Sequence, residues 1–216
     1  MIKLLIFDLD GTLVDTLPSI HHAMQLAMGH YGVREPTPEE TAAALGSGAR
    51  QLLARLIPEE YANNEDKLDE ILDYYSKMYD STYLEADHCY DGMKESVVEL
   101  KKRGYTIAVL SNKVDHCVVN MVNQLFEKGI VSLARGQTEL PTKPDPTVPL
   151  MMARELGFDS AEIAFIGDSD VDVQTAKNAG MMSVACSWGY RPRDILKKLS
   201  PDVIIDKPTE LLDVFK

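Results

Sequence analysis

Basic residues are in short supply: 22 Lys and Arg stand against 34 Asp and Glu in 216 residues, a formal charge of -12. A surface of that sign lacks the cationic footprint that DNA, RNA and anionic membranes require, so neither nucleic acid nor a membrane is an expected partner. Long apolar runs are also missing, and none approaches the ~20 residues that span a bilayer. The opening stretch Met1-Ile2-Lys3-Leu4-Leu5-Ile6-Phe7 is short and runs into acidic residues, which does not read as a signal peptide. Cysteine is scarce. Cys89, Cys117 and Cys186 lie far apart, are odd in number and form no CxxC, which argues against a disulfide frame or a cysteine zinc site and for reduced thiols in the cytoplasm. The five histidines have no metal-like spacing, and the chain holds no repeat or low-complexity tract. What remains is an ordinary globular composition, 45% hydrophobic and 26% charged, with enough chain for one α/β domain and a small inserted one.

Short apolar runs that end in polar or glycine residues predict buried parallel strands at residues 2–7, 105–110, 163–166, 181–185 and 203–205, with a weaker candidate at 130–134. Helical spacing fills the intervals. Met93, Val97 and Leu100 share a face, as do Val118, Met121, Val122 and Leu125. Pro146 and Pro149 suit the first turn of a third helix, and Val171, Thr175, Ala176 and Ala179 line a fourth that stops at Gly180. Strands alternating with helices predict an α/β fold, a Rossmann-like parallel sheet. Residues 16–87 break the alternation with helical patterns alone: Leu17 to Tyr31, Leu52 to Ile57, and Leu68 to Tyr79. They read as an inserted all-helical domain, which leaves 1–15 and 88–216 as the core.

In an open parallel sheet, ligands bind outside the carboxyl ends of strands. Four segments expected there carry unusual polar residues: Asp8-x-Asp10-Gly11-Thr12, Ser111-Asn112, Lys143-Pro144, and Gly167-Asp168-Ser169 with Asp172. Singly they have plain explanations as a turn, helix caps and a solvated lysine. Together they describe a pocket of carboxylates with one lysine and one hydroxyl. Clustered carboxylates repel, so a cation is expected, and an oxygen-only donor set suits Mg²⁺. Such a pocket suits a phosphoryl group, whose charge a divalent ion and a lysine neutralise.

The stretch Phe7-Asp8-Leu9-Asp10-Gly11-Thr12-Leu13-Val14-Asp15-Thr16 resembles the opening motif of the haloacid-dehalogenase-like hydrolases. Ser111 after an apolar strand, Lys143-Pro144-Asp145-Pro146 and Gly167-Asp168-Ser169-Asp170-Val171-Asp172 resemble the motifs that follow it. The resemblance implies Mg²⁺-dependent phosphoryl transfer on a small phosphorylated substrate. Asp8 would be the nucleophile and Asp10 the acid and base. Thr12, Ser111, Lys143 and the Asn112 N–H would bind the phosphoryl group. The metal would be held by Asp8, the Asp10 carbonyl and Asp168, with Asp172 binding a metal water or orienting Lys143.

The helical insert stands where the family places its cap. There Gly46 and Gly48 would let the backbone approach a ligand, and Arg50 would pair with a carboxylate of the substrate. The stretch from Gly46 to Leu56 and Trp188-Gly189-Tyr190-Arg191 resemble the phosphoglycolate-phosphatase group, which implies 2-phosphoglycolate as substrate. The alternatives are a β-phosphoglucomutase-type phosphomutase, a pyrophosphatase, or a phosphate-binding protein without turnover. Many mutases carry Glu-Asp-Ser where Gly167-Asp168-Ser169 stands, and Asp8 and Asp10 are both present, so a phosphatase is expected. A monomer and a homodimer are both compatible with the sequence.

Overall fold

The computed structural model describes the backbone of all 216 residues and the side chains of all but 84–86. The chain divides into two compact units, Thr16–His88 on the one hand and Met1–Asp15 with Cys89–Lys216 on the other.

The first unit is helical: α1 (Leu17–Tyr31), α2 (Pro38–Ala44), α3 (Ala49–Leu56), α4 (Glu59–Ala62) and α5 (Glu65–Ala86). Helices α1 and α5 pack together. Gly32, in the left-handed region at φ 64°, ends α1. Helices α2 and α4 were not expected, because four to seven residues are too few to show a helical period. The signal for α2 was local. Thr37 Oγ1 accepts from the Glu40 N–H at 3.2 Å while Glu40 Oε2 accepts from the Thr37 N–H at 2.8 Å, a reciprocal cap.

The strands belong to the second unit, except that β3 begins on the last residue of the first: β1 (Leu4–Phe7), β2 (Val14–Asp15), β3 (His88–Cys89), β4 (Thr106–Val114), β5 (Leu133–Gln137), β6 (Ile163–Gly167), β7 (Met182–Cys186) and β8 (Val203–Ile205). The two-residue strands β2 and β3 stand where the chain passes between the units. The other six form one parallel sheet in the order β5-β4-β1-β6-β7-β8. Numbered within that sheet, the order is 3-2-1-4-5-6, the Rossmann arrangement, with its switch point at β1. Helices α6 (Met93–Lys102), α7 (Asp115–Leu125), α8 (Thr147–Leu156), α9 (Asp170–Ala179), α10 (Arg193–Lys198) and α11 (Leu211–Val214) complete it.

All four residues of β1 are fully buried, which is why they read as a continuous apolar run. Leu4 and Ile6 point to one face, where they join Leu110, Phe165, Met152 and Ala176 in the main core cluster. Each fully buried side chain of this size stabilises the fold by about 1.5–3 kcal/mol. Two strands differ from expectation. β5 begins at Leu133, because Gly129 at φ 92° and the Ile130 N–H to the Glu127 carbonyl, 3.1 Å, make a turn of the apolar residues before it. β4 runs four residues past Leu110, and its register against β5 shifts between Leu110 and Val114. No described helix is long and apolar enough to cross a membrane.

Candidate active site

The site begins at the carboxyl end of β1, the switch point of the sheet. The Asp8 N–H still bonds to the Ile166 carbonyl at 2.8 Å, which continues the ladder to β6. The chain then folds back on itself. Leu13 and Val14 both donate to the Leu9 carbonyl at 3.0 Å, and Gly11 sits at φ 78°, a conformation that glycine adopts without a Cβ penalty. Asp8 is buried at the foot of this turn.

Asp168, next to the end of β6, lies in a cradle of glycines. A Cβ on Gly11 would come within 2.6 Å of Asp168 Oδ2. One on Gly189 would lie 2.3 Å from both Asp168 Cβ and the Gly11 carbonyl oxygen. Within that space Thr12 Oγ1 donates to Asp168 Oδ1 at 3.1 Å and the Tyr190 N–H donates to Asp168 Oδ2 at 2.7 Å. Trp188 Nε1 donates to the Thr12 carbonyl at 3.1 Å, so the loop after β7 is stitched to the turn after β1.

Lys143 enters from the loop before α8, next to a cis peptide bond to Pro144. The Asn112 side chain grips its backbone twice: Nδ2 donates to the Lys143 carbonyl at 3.0 Å and Oδ1 accepts the Lys143 N–H at 2.9 Å. The ammonium lies 2.9 Å from Asp8 Oδ1 and 2.7 Å from Asp172 Oδ1. The other Asp172 oxygen accepts from Ser169, from its N–H at 3.0 Å and its hydroxyl at 2.5 Å, which also caps α9.

One oxygen each of Asp8, Asp168 and Asp172 lies within 4.8 Å of the other two, and all three residues are buried. Three carboxylates thus face one ammonium. Burial pushes the Asp8 carboxyl well above the ordinary carboxylate range, Asp172 adds to the rise, and Lys143 opposes it. Asp168 is pushed up to about 7, by burial first and Asp172 second. Burial pulls the Lys143 ammonium down, but Asp172 and Asp8 outweigh it and leave the group above its usual range, hence charged. A second cation stands nearby: Lys113 Nζ is 2.7 Å from Asp10 Oδ1.

The family model described as haloacid dehalogenase-like hydrolase matches residues 5–186. The chain belongs to this family. Phosphoglycolate phosphatase of Aliivibrio fischeri is 31% identical to the hydrolase, over 99% of its chain and 96% of the relative. Among solved structures, a predicted phosphoglycolate phosphatase from Haemophilus somnus superposes with a TM-score of 0.91 at 26% identity, covering 100% of the chain and 98% of the other. A β-phosphoglucomutase from Clostridium difficile has a TM-score of 0.76 at 20% identity, covering 98% and 93%, a likeness of fold alone. The phosphatase-type enzyme expected from the motifs agrees with the full-length relatives.

The hydrolase brings Asp8, Asp10, Ser111, Asn112, Lys143, Asp168 and Asp172 together at one edge of its sheet. Two expected roles, those of Thr12 and Arg50, need correction. Thr12 is fully buried and its hydroxyl is given to Asp168, so it holds that carboxylate and does not offer a donor to a phosphoryl group. Asp172 has one oxygen on Lys143 and the other on Ser169, so of the two roles expected for it the contacts favour that of orienting Lys143. Arg50 is taken by two carboxylates of α5, Glu65 at 2.7 Å and Asp69, and does not stand ready for a substrate anion. Gly46 and Gly48, at φ 113° and 85°, shape the turn before α3, which Gly48 caps. Asp170 is exposed and pairs with Arg191 at 3.1 Å. The sequence reading missed Lys113 and Gly189. Gly189 stands in the loop Trp188-Gly189-Tyr190-Arg191 with no sign of its neighbours, and Lys113 follows Ser111-Asn112 directly but lies beyond the expected end of its strand.

Proposed function

We propose that the protein is a Mg²⁺-dependent phosphatase of small phosphate monoesters, with 2-phosphoglycolate as the preferred substrate. The observation that carries this reading is the buried Lys143 ammonium between Asp8 and Asp172, with Asp168 completing the cluster. Hard oxygen donors in excess over one ammonium fit a divalent cation. Asp8, Asp168 and the Asp10 carbonyl would hold it, and when bound it would supply positive charge to the transferring phosphoryl group. Lys143 and Ser111, with the Asn112 N–H, bind the phosphoryl oxygens. An Asp8 oxygen attacks phosphorus; the bond from phosphorus to the leaving oxygen breaks, and the Asp10 proton goes to that oxygen. Water then attacks the aspartyl-phosphate. Asp10 takes the proton of that water, the phosphorus–Asp8 bond breaks, and phosphate leaves.

The helical unit, residues 16–87 in this reading, acts as a cap that selects the leaving group, and residues 1–15 and 88–216 form the catalytic core. The enzyme works in the cytoplasm, as a monomer or homodimer. The full-length phosphoglycolate phosphatase relatives support the substrate. The mutase alternative is disfavoured at Gly167, where a Cβ would lie 2.3 Å from Asp172 Cβ, leaving no room for the glutamate many mutases carry.

Steady-state phosphate release from a panel of esters with Mg²⁺ tests the reading, together with Asp8→Asn. The expected result is highest kcat/KM on 2-phosphoglycolate, silence in chelator, and substrate binding without turnover in the variant. Wild-type-like turnover by Asp8→Asn, or sugar-phosphate isomerisation without phosphate release, would overturn it.

A further inference from the structure

Asp8 and Asp10 leave the same strand end two residues apart, yet each faces its own lysine. Lys143 serves Asp8, and Lys113 serves Asp10 at 2.7 Å, with side chains only 7% and 19% exposed. The Ser111 hydroxyl faces the second Asp10 oxygen at 3.4 Å.

The backbone is built to deliver Lys113 there. β4 overruns its expected end, and its register shifts against β5 between Leu110 and Val114. Such irregularities re-aim side chains next to active sites. β5 then locks the segment. A Cβ on Gly136 would meet the Lys113 carbonyl oxygen and Asp115 Cα, both at 2.5 Å. The Gly136 N–H donates to Asp115 Oδ1 at 2.8 Å, and the Lys113 N–H to Ser111 Oγ at 3.2 Å. A largely buried ion pair adds little stability over a packed apolar pair, so stability alone does not account for this arrangement. Fixing the angle of a reacting carboxylate does account for it.

We propose that Lys113 is a positioning residue: its ammonium donates to Asp10 Oδ1 and so holds the side chain at the angle from which the protonated carboxyl, with its proton on Oδ2, gives that proton to the leaving oxygen. This rests on the phosphatase reading above and on the acid role given there to Asp10. In this role Lys113 acts through Asp10, whose Oδ1 it meets at 2.7 Å.

The test compares an alkyl phosphate, 2-phosphoglycolate, with p-nitrophenyl phosphate, whose leaving group needs no proton. It reads kcat/KM, which reports the step in which that group departs. Asp10→Asn is expected to lose about 10²-fold or more on the alkyl ester and far less on the aryl ester. Lys113→Met is expected to show the same split, and Lys113→Arg to restore part of the alkyl activity. Asp10→Asn with Lys113→Met is expected to fall no lower than Asp10→Asn alone. Equal losses on both esters, aryl turnover abolished, unchanged alkyl turnover, or losses that multiply in the double variant would each overturn the role of Lys113. Aryl turnover in the same sample shows that the variant has folded. If Asp10→Asn itself shows no split, the acid assignment fails; if it splits and Lys113→Met does not, only the positioning role fails.

Discussion

The Lys143 ammonium lies 2.9 Å from an Asp8 oxygen, in a site where the lysine side chain is 2% exposed. It is the cation that lets Asp8 and Asp172 share one buried space. Lys143→Met should lower kcat/KM by about 10²-fold or more, since a preorganised charge at the phosphoryl group is lost. It should also cost about 3–5 kcal/mol of stability by leaving buried carboxylates unpaired. Adding Asp172→Asn should recover part of the melting temperature without recovering activity. Phosphate-release kinetics and calorimetry on the two variants check both outcomes.

Gly189 has no space for a methyl group. The Cβ of Gly189→Ala would lie 2.3 Å from Asp168 Cβ and from the Gly11 carbonyl oxygen, neither of which is the tip of a flexible chain. The variant should shift Asp168 and weaken Mg²⁺ affinity by about 10-fold or more. Titration of activity against Mg²⁺ shows it as a rightward shift of the half-saturation point; an unmoved midpoint would mean the cradle is not needed.

Arg50 was expected to read a substrate carboxylate, and the structure gives it Glu65 and Asp69 instead. Arg50→Ala should change KM for 2-phosphoglycolate by less than about twofold and cost at most about 1 kcal/mol, the range of exposed ion pairs. A KM rise confined to carboxylated esters would return Arg50 to the specificity argument.

Asp202 links stability to acid. The Ser183 N–H and hydroxyl both donate to its Oδ2, at 2.8 and 2.7 Å, and hold its carboxyl below the ordinary range. A depressed folded-state pKa gives stability that is present above the unfolded value of about 3.9 and is lost as pH falls through the lower folded value. Wild type should therefore melt higher than Asp202→Asn at pH 5, and the gap should narrow by pH 3. A gap that stays constant or widens on acidification contradicts the linkage.

The parallel sheet was legible because buried strands read as plain apolar runs bounded by polar turns, as at β1, β6 and β7. β5 was not, since it is a half-exposed strand whose residues carry little apolar pattern, and the apolar pair before it belongs to a turn. The site was legible as four polar segments at strand ends. Their internal division of labour was not. Thr12 was expected to bind substrate from the resemblance alone, and the sequence does not show that its hydroxyl meets Asp168, 156 residues away. Lys113 was not singled out, because the direction of a strand side chain depends on where the strand stops and where its register slips.

Local order in the chain sets which residues are apolar enough to become strands, where helices start and stop, and which carboxylates lie two positions apart on one strand end. Those are short-range properties, and the sequence by itself determined them. Tertiary structure decided the pairings: Lys143 with Asp8 and Asp172, Lys113 with Asp10, Thr12 with Asp168, and Arg50 with α5. A charge in a folded protein takes its role from the partners that packing brings within about 3 Å, and those partners come from distant parts of the chain.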